Sequence, residues 1–235
     1  MKPTTAQAWV LAARPQTLTI SVAPVLLGAA LASEVGPLSI PVLIAAMIGA
    51  ICIQIGTNLY NDYADFNKGA DGADRLGPLR ACANGWLPPR QVLIAVGITF
   101  AIAMAAGIYL AAVAGWPVVI IGLASLACGL AYTGGPWPLA YVGIADLFVF
   151  VFFGLVAVGG TYFVLADGLS LAAILGGAVL GCLATAVLAV NNLRDRAGDW
   201  LAGKRTLAVR YGGAFARGQY ALLVTCSALL VVLVG

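Results

Sequence analysis

Long, continuous apolar stretches follow one another along this chain, and they restrict its fold more than any other feature. A membrane-spanning helix needs about 20 apolar residues, whereas a barrel strand needs about ten and alternates in polarity. Charges, Pro or Gly bound the stretches, which lie at 17–33, 38–60, 91–113, 116–133, 143–165, 170–193 and 217–235. The sequence therefore predicts an all-α, polytopic transmembrane helical bundle of about seven spans.

The composition also indicates a membrane protein. Hydrophobic residues make up 62% of the chain and charged residues 9%, with a mean hydropathy of +1.01. A soluble domain carries about 25% charged residues. We expect the lipid bilayer to be a partner and nucleic acid not to be one. Residues 1–235 are interpreted as one transmembrane domain, which we expect to be incomplete at its C-terminus because the last span is still apolar at Gly235.

The cations predict the orientation of the bundle. All 12 Lys and Arg residues fall within three segments, 2–14, 68–90 and 194–217. Alternating connections put these segments on one side, and the loops of the other side contain Glu34 and Asp167 but no cation. Cytoplasmic loops are the ones enriched in Lys and Arg. We therefore expect a multi-pass protein of the bacterial cytoplasmic (inner) membrane, with its N-terminus in the cytoplasm.

The absence of His narrows the chemistry. With no His in the chain, His-ligated zinc, haem and His-based catalytic triads are excluded. The five Cys residues form no C-x-x-C pair. A metal site would have to use oxygen ligands, which favour Mg²⁺, Mn²⁺ or Ca²⁺.

Two acidic motifs follow the ends of apolar stretches. Both contain N-x-x-x-D: Asn58 to Asp62, followed by Asp65, and Asn191 to Asp195, followed by Asp199. Residues at i, i+4 and i+7 share a helix face, so each motif is expected to present its polar side chains in one direction. Two such faces turned toward each other would form one cytoplasmic-side cavity rich in carboxylate and amide oxygens. The simpler alternative is that these acids are solvated or paired with nearby cations.

Neighbouring carboxylates repel one another unless a cation lies between them. Mg²⁺ is a suitable cation for this position, and it usually binds together with substrate phosphates. Basic side chains interleave with the acids and could hold the outer oxygens of a diphosphate, or could simply be positive-inside anchors; they are Lys68, Arg75, Arg80 and Lys204.

These motifs resemble those of the UbiA-type superfamily of intramembrane prenyltransferases. The matching stretches are "NDYADFNKGADGADRLGPLR", "RPQTL" at 14–18, "YTGGPWPLAYVGIADLFVFVFFG" at 132–154 and "NNLRD…D…GKRTLAVRYG" at 191–212. They are most similar to the 1,4-dihydroxy-2-naphthoate branch (the MenA type). The 4-hydroxybenzoate branch often has an acid where this chain has Gly69, and a Lys where it has Pro136. The family typically has nine spans.

The resemblance implies a substrate, a cofactor and ligands. The head of an allylic polyprenyl diphosphate would lie among two Mg²⁺ ions held by Asp62, Asp65, Asp195 and Asp199, assisted by Asn58 and Asn191, with Asp71 as a further contact to the substrate. As diphosphate leaves, 1,4-dihydroxy-2-naphthoate would attack the allylic cation and give a demethylmenaquinone precursor, a step of menaquinone biosynthesis.

The segment 132–146 is predicted to cover the acceptor. It is uncharged up to Asp146, and its Gly-Gly-Pro sequence favours an unusual backbone shape. Tyr132 and Tyr141 could orient the acceptor or screen the cation, although both could be interfacial aromatics. Asp146 lies inside an apolar run, where an unpaired carboxylate is costly; it is a candidate for acceptor or proton chemistry, or for structural pairing.

Other functions remain open at this point. The acceptor could be homogentisate or 4-hydroxybenzoate, or the donor could be phytyl diphosphate, as in phylloquinone synthesis. A cation transporter is a more distant alternative, because the acids cluster on one side beside Lys and Arg that would oppose a cation path.

Overall fold

The computed structural model describes residues 2–70 and 77–234, and helices account for all of its regular secondary structure in those ranges. Two of the predicted site residues, Asp71 and Arg75, lie outside the described residues. The helices, in chain order, are α1 (Thr5–Ala13), α2 (Pro15–Ser33), α3 (Ile40–Asn67), α4 (Pro89–Ala114), α5 (Trp116–Ala131), α6 (Leu139–Val142), α7 (Ala145–Phe150), α8 (Ala157–Ala166), α9 (Leu171–Arg194), α10 (Arg196–Leu201) and α11 (Leu207–Val234). A π-helical segment, Val151–Val156, joins α7 to α8 without a break.

The prediction of a polytopic transmembrane helical bundle is confirmed. Within the described ranges, six helical segments are long and apolar enough to cross a membrane: Pro15–Ser33, Ile40–Asn67, Pro89–Ala114, Ala145–Ala166, Leu171–Arg194 and Leu207–Leu233. The seventh predicted span corresponds to α5, which has 16 residues. At about 1.5 Å per residue, α5 is shorter than a typical span.

Helix α3 continues past its predicted end at residue 60 and carries the first acidic motif on its last turns. Apolar length alone places the end too early, because the polar residues of these turns find partners within the bundle. Asn58, Asn61, Asp62 and Asp65 are all buried. The first motif is therefore part of a rigid helix rather than a connecting loop.

The second motif does not lie on one helix as predicted. Helix α9 ends at Arg194, and Asp195 is its C-cap with φ −90° and ψ 4°. Asp199 lies on the short helix α10. The chain still winds in the same sense here, since the Asp199 amide donates to the Asp195 carbonyl oxygen at 2.8 Å.

Close helix packing fixes the position of α7 and the π-helical segment against α9. A β-carbon on Gly154 would lie 2.4 Å from the carbonyl oxygen of Gly177, and one on Gly181 would lie 2.7 Å from that of Phe150. Side chains larger than hydrogen would force the two backbones apart. This contact sets the start of α7, and hence Asp146, against α9.

Candidate active site

The N-terminal segment and three connections meet at one end of the bundle. Asn58 on α3 donates through Nδ2 to the carbonyl oxygen of Ala13, at 2.9 Å. Lys68, just after α3, donates to the carbonyl oxygen of Thr133. The amide of Arg205 donates to the carbonyl oxygen of Tyr141 at 3.0 Å. The cation-rich segments and the connection after α5 therefore share one end.

A polar cavity of about 370 Å³ lies at this end. Both acidic motifs reach it, and its oxygen-bearing lining includes Asn61, Asp65, Asn191, Asn192, Asp195 and Asp199. Four cationic side chains also line it: Arg14, Arg80, Arg194 and Lys204. The cavity thus combines carboxylate and amide oxygens with basic groups, as the sequence patterns anticipated.

Asp65 is the most strongly engaged of these acids. Its Oδ1 accepts from the Tyr141 hydroxyl at 3.0 Å. Its Oδ2 accepts from Arg80 Nη2 at 3.1 Å and from Lys204 Nζ at 3.2 Å. Asp65 is 1% exposed. Because a buried carboxylate requires compensating partners, the fold has brought two cations and a phenol to this single side chain.

The structure does not bring Asn58 and Asp62 to the cavity, contrary to the face predicted for the first motif. Asp62 accepts from the backbone amides of Ala81 and Cys82, at 2.8 and 2.9 Å. It is 1% exposed and absent from the cavity lining. The Asn58 amide group is likewise occupied, by Ala13 and by Thr17 Oγ1 at 2.9 Å.

Asn61 takes the place that was predicted for Asp62. Successive helical residues are separated by about 100° around the axis, so Asn61 and Asp62 diverge while Asp65 points between them. Asn61 lines the cavity and accepts from the Thr133 hydroxyl through Oδ1. The signal was present in the sequence, since Asn61 and Asp65 form a second, overlapping N-x-x-x-D pattern.

In the second motif, Asn191 lies in the cavity lining together with both acids. Asp195 forms a two-pronged pair with the neighbouring Arg194, at 2.8 and 2.7 Å. Asp199 Oδ1 lies 4.0 Å from Lys204 Nζ. Lys204 therefore bridges Asp65 of the first motif and Asp199 of the second.

Tyr141 lies close to two lysines. The ring centroid is 4.5 Å from Lys68 Nζ and 5.2 Å from Lys204 Nζ, both within cation–π range. Burial lowers the pKa of Lys68, and Lys204 lowers it further, while Asp65 opposes this shift. Tyr141 thus contacts two cations that were predicted to hold the diphosphate and one carboxylate that was predicted to bind metal.

A second, apolar cavity of about 450 Å³ lies beside the polar one. Residues of α2, α3, α4, α5 and the segment from α7 to α8 line it, including the stacked rings of Phe148 and Phe152. Tyr132 lines both cavities. Burial raises the pKa of Tyr132, and the carboxylates of Asp146 and Asp199 raise it further, so its phenol stays neutral where the cavities meet.

Asp146 lies in the first turn of α7 and lines the polar cavity. It is 8% exposed. Its Oδ1 accepts from Gln219 Nε2 at 2.7 Å, and its Oδ2 has no hydrogen-bond partner among the described residues. Gln219, on α11, was not singled out in the sequence, where a lone Gln in an apolar span carries no motif.

The carboxylate and amide oxygens that line the polar cavity are suitable ligands for Mg²⁺ bound together with a phosphate group. In residues 2–70 and 77–234, no three acidic or Cys side chains gather closely enough to hold a metal by themselves. Mg²⁺ is usually bound by one or two carboxylates plus substrate phosphates rather than by a complete protein cage. Asp65, Asp195 and Asp199 supply such carboxylates, and the adjoining cations suit the phosphate oxygens.

Comparison with known proteins identifies the class. The model of the UbiA prenyltransferase family matches residues 21–235; the chain belongs to this family, which confirms the resemblance. The chain is 40% identical over 224 residues to the 1,4-dihydroxy-2-naphthoate octaprenyltransferase of Escherichia coli (strain K12), covering 93% of this chain and 73% of that protein. It is 38% identical to the Mycobacterium tuberculosis protein of the same name, covering 94% of this chain and 76% of that protein.

Solved structures share the fold. A UbiA homolog from Archaeoglobus fulgidus bound to GPP and Mg²⁺ matches with a TM-score of 0.76 at 15% identity, covering 97% of this chain and 77% of that one. The same homolog bound to DMAPP and Mg²⁺ matches with a TM-score of 0.75 at 13% identity, covering 96% and 77% of the two chains.

Proposed function

We propose that this protein transfers a polyprenyl group from an allylic polyprenyl diphosphate to 1,4-dihydroxy-2-naphthoate. The ring carbon forms a bond to the prenyl group, diphosphate leaves, and the acceptor's carboxylate departs as CO₂ to give a demethylmenaquinone precursor. The observation that carries this proposal is that Tyr132 lines both an oxygen-rich, cation-lined cavity and an apolar cavity. The names of the bacterial relatives support the acceptor.

The polar cavity is the proposed site of the diphosphate head. Asp65, Asp195 and Asp199, with Asn61 and Asn191, would hold two Mg²⁺ ions. Bound Mg²⁺ stabilises the negative charge that develops on the leaving diphosphate. In this proposal Asp62 is not a ligand, because both of its oxygens accept backbone amides; it anchors the loop that carries Arg80.

The basic side chains are proposed to exchange partners when substrate binds. Arg80 and Lys204 now neutralise Asp65. If Asp65 held a metal ion, both cations would be released to hold phosphate oxygens through charge-assisted hydrogen bonds, which are strong. Lys68, whose Nζ also lies near the Tyr141 ring, is placed to assist them. Arg75, outside the described residues, stays a candidate for the same role. Asp71, also outside them, stays a candidate for a further contact to the metal-bound substrate.

The apolar cavity is proposed to receive the proximal part of the polyprenyl tail. Its walls are almost entirely hydrocarbon and aromatic, and burial of an apolar chain there is favourable. The tail then places the allylic carbon beside Tyr132. The aromatic rings of Tyr132 and Tyr141 can face the developing cation and stabilise it.

The acceptor is proposed to bind between the segment 132–144 and Asp146. No lysine stands at Pro136 to hold a benzoate carboxylate, and the naphthoate loses its carboxylate during the reaction. The flat faces of Tyr132 and Tyr141 suit two fused rings. We propose that this end of the bundle faces the cytoplasm of a bacterial cell, where the water-soluble acceptor is available.

The test is a transfer assay with the full chain in phospholipid vesicles. Octaprenyl diphosphate and Mg²⁺ are supplied with 1,4-dihydroxy-2-naphthoate, homogentisate or 4-hydroxybenzoate in separate reactions. We expect a prenylated, decarboxylated naphthalene product and an equal amount of diphosphate. Preference for another acceptor would overturn the naphthoate assignment, and failure to release diphosphate with every acceptor would overturn prenyl transfer itself.

A further inference from the structure

Gln219 connects the last described helix to the active-site cavity. It lies on α11, and its side-chain amide donates to Asp146 Oδ1 at 2.7 Å. Asp146 belongs to α7, 73 positions earlier in the chain. Thr185 on α9 also contacts Asp146, but at its backbone carbonyl oxygen. Among the side chains of the described residues, the hydrogen bond to the carboxylate itself therefore comes from the amide of Gln219.

The other oxygen of Asp146 is buried and unsatisfied. Asp146 is more than nine-tenths buried, with 8% exposed, and lines the polar cavity. Its Oδ2 has no hydrogen-bond partner among the described residues. Buried polar atoms in folded proteins are nearly always paired, because leaving one unpaired is costly. A partner from the contents of the cavity would remove that cost.

The chemistry of that partner is restricted. A diphosphate and an acceptor carboxylate both carry negative charge, and a carboxylate repels them. Arg80 and Lys204, which suit those anions, contact Asp65 instead. With the metal ions assigned to Asp65, Asp195 and Asp199, a neutral hydrogen-bond donor is the group that complements Oδ2, and an aromatic hydroxyl is such a donor.

We propose that Gln219 is a positioning residue for the aromatic acceptor, holding Asp146 by Oδ1 so that Oδ2 receives a hydrogen bond from an acceptor hydroxyl. This rests on the proposed function, because it places a phenolic acceptor in the polar cavity. The proposal gives α11 a part in acceptor binding, although this helix carries neither acidic motif. The hydroxyl of the acceptor, rather than its carboxylate, is the group recognised here.

The test compares Gln219→Met with wild type, using the full chain in vesicles. Ser227→Ala is the matched control, because Ser227 on the same helix donates to the Val179 carbonyl at 3.3 Å and contacts neither cavity. In Gln219→Met we expect the KM for the acceptor to rise about 10-fold, the effect of one lost hydrogen bond to a charged group. The KM for octaprenyl diphosphate should stay unchanged. An unchanged acceptor KM, or an equal rise of both constants, overturns the proposal.

A second measurement needs no variant. Inhibition by 2-naphthoate, which lacks both hydroxyl groups, should be about 10-fold weaker in wild type than inhibition by a 1,4-dihydroxy analogue that cannot react. Equal inhibition would contradict recognition through a hydroxyl. If wild type prenylates a different phenol, the proposed acceptor is wrong, and the same KM comparison with that phenol still decides the role of Gln219.

Discussion

The Tyr141 hydroxyl donates to Asp65 Oδ1 at 3.0 Å, across 76 positions of sequence. This contact joins the segment proposed to cover the acceptor to the carboxylate proposed to bind metal. Removal of the hydroxyl by Tyr141→Phe keeps the ring that lies near Lys68 and Lys204. We expect kcat/KM to fall about 10-fold, since one hydrogen bond to a charged group is lost.

Tyr141→Ala should lower kcat/KM more than Tyr141→Phe does, because the cation–π contacts are lost as well. Both variants are checked by steady-state transfer assays. Tyr211→Phe is the control, since Tyr211 is 62% exposed and lies outside both cavities. Equal activity of Tyr141→Phe and wild type would show that the hydroxyl contributes nothing.

Asp65→Asn should reduce transfer by at least about 10²-fold, which corresponds to roughly 2.7 kcal/mol of barrier. The amide is a weaker metal ligand and leaves Arg80 and Lys204 without their shared negative charge. Breaking a buried ion pair also destabilises a fold by about 3–5 kcal/mol, so the melting temperature should fall. Diphosphate release and thermal unfolding are measured together.

Asp167→Asn serves as the matched control for that substitution. Asp167 is an exposed helix C-cap with φ 51° at the other end of the bundle, and Asn tolerates that conformation. It should behave as wild type in both measurements. Near-normal turnover of Asp65→Asn at saturating Mg²⁺ would remove Asp65 from the metal site.

Asp62→Asn tests whether Asp62 anchors the loop that carries Arg80 or binds the metal. In this variant a single side-chain oxygen remains, where the carboxylate has two that accept hydrogen bonds from the backbone amides of Ala81 and Cys82. We expect a raised KM for octaprenyl diphosphate, because the loop carrying Arg80 loosens, with no change in the Mg²⁺ concentration that gives half-maximal rate. Asp195→Asn should instead shift that Mg²⁺ requirement upward. If Asp62→Asn also shifts the Mg²⁺ requirement, Asp62 is a ligand after all.

Single cysteines will test the orientation in the membrane. Ala197→Cys, exposed on α10, and Val35→Cys, 65% exposed in the connection before α3, lie at opposite ends of the bundle. In a background without the native cysteines, an impermeant reagent added outside intact cells should label position 35 and leave position 197 unlabelled. Labelling of position 197 from outside would reverse the orientation.

The helical spans could be predicted from the sequence because apolar length is a property of each segment alone. The direction of individual side chains could not, because it depends on what packs against the helix. The spacing of Asn58, Asp62 and Asp65 places them on one helix face. The Asp62 carboxylate nevertheless accepts hydrogen bonds from the backbone amides of Ala81 and Cys82. Nothing local marks those two amides as its partners.

The end of α9 was mispredicted for a related reason. The spacing of Asn191, Asp195 and Asp199 suits one continuous helix, but Asp195 closes α9 and a short helix carries Asp199 onward. All three still line the cavity. Spacing therefore identified the members of the second motif correctly while misplacing the element that holds them.

Lys204 contacts Asp65 and lies near Asp199, and this has a consequence for biosynthesis. Domains are made from the N-terminus onward, so Asp65 is inserted while Lys204 has not yet been translated. Until the connection after α9 leaves the ribosome, Arg80 is the cation that can pair directly with Asp65, with Lys68 close enough to interact with it electrostatically. The site is thus completed late in translation, and a nascent chain ending before residue 204 lacks the link between its two acidic motifs.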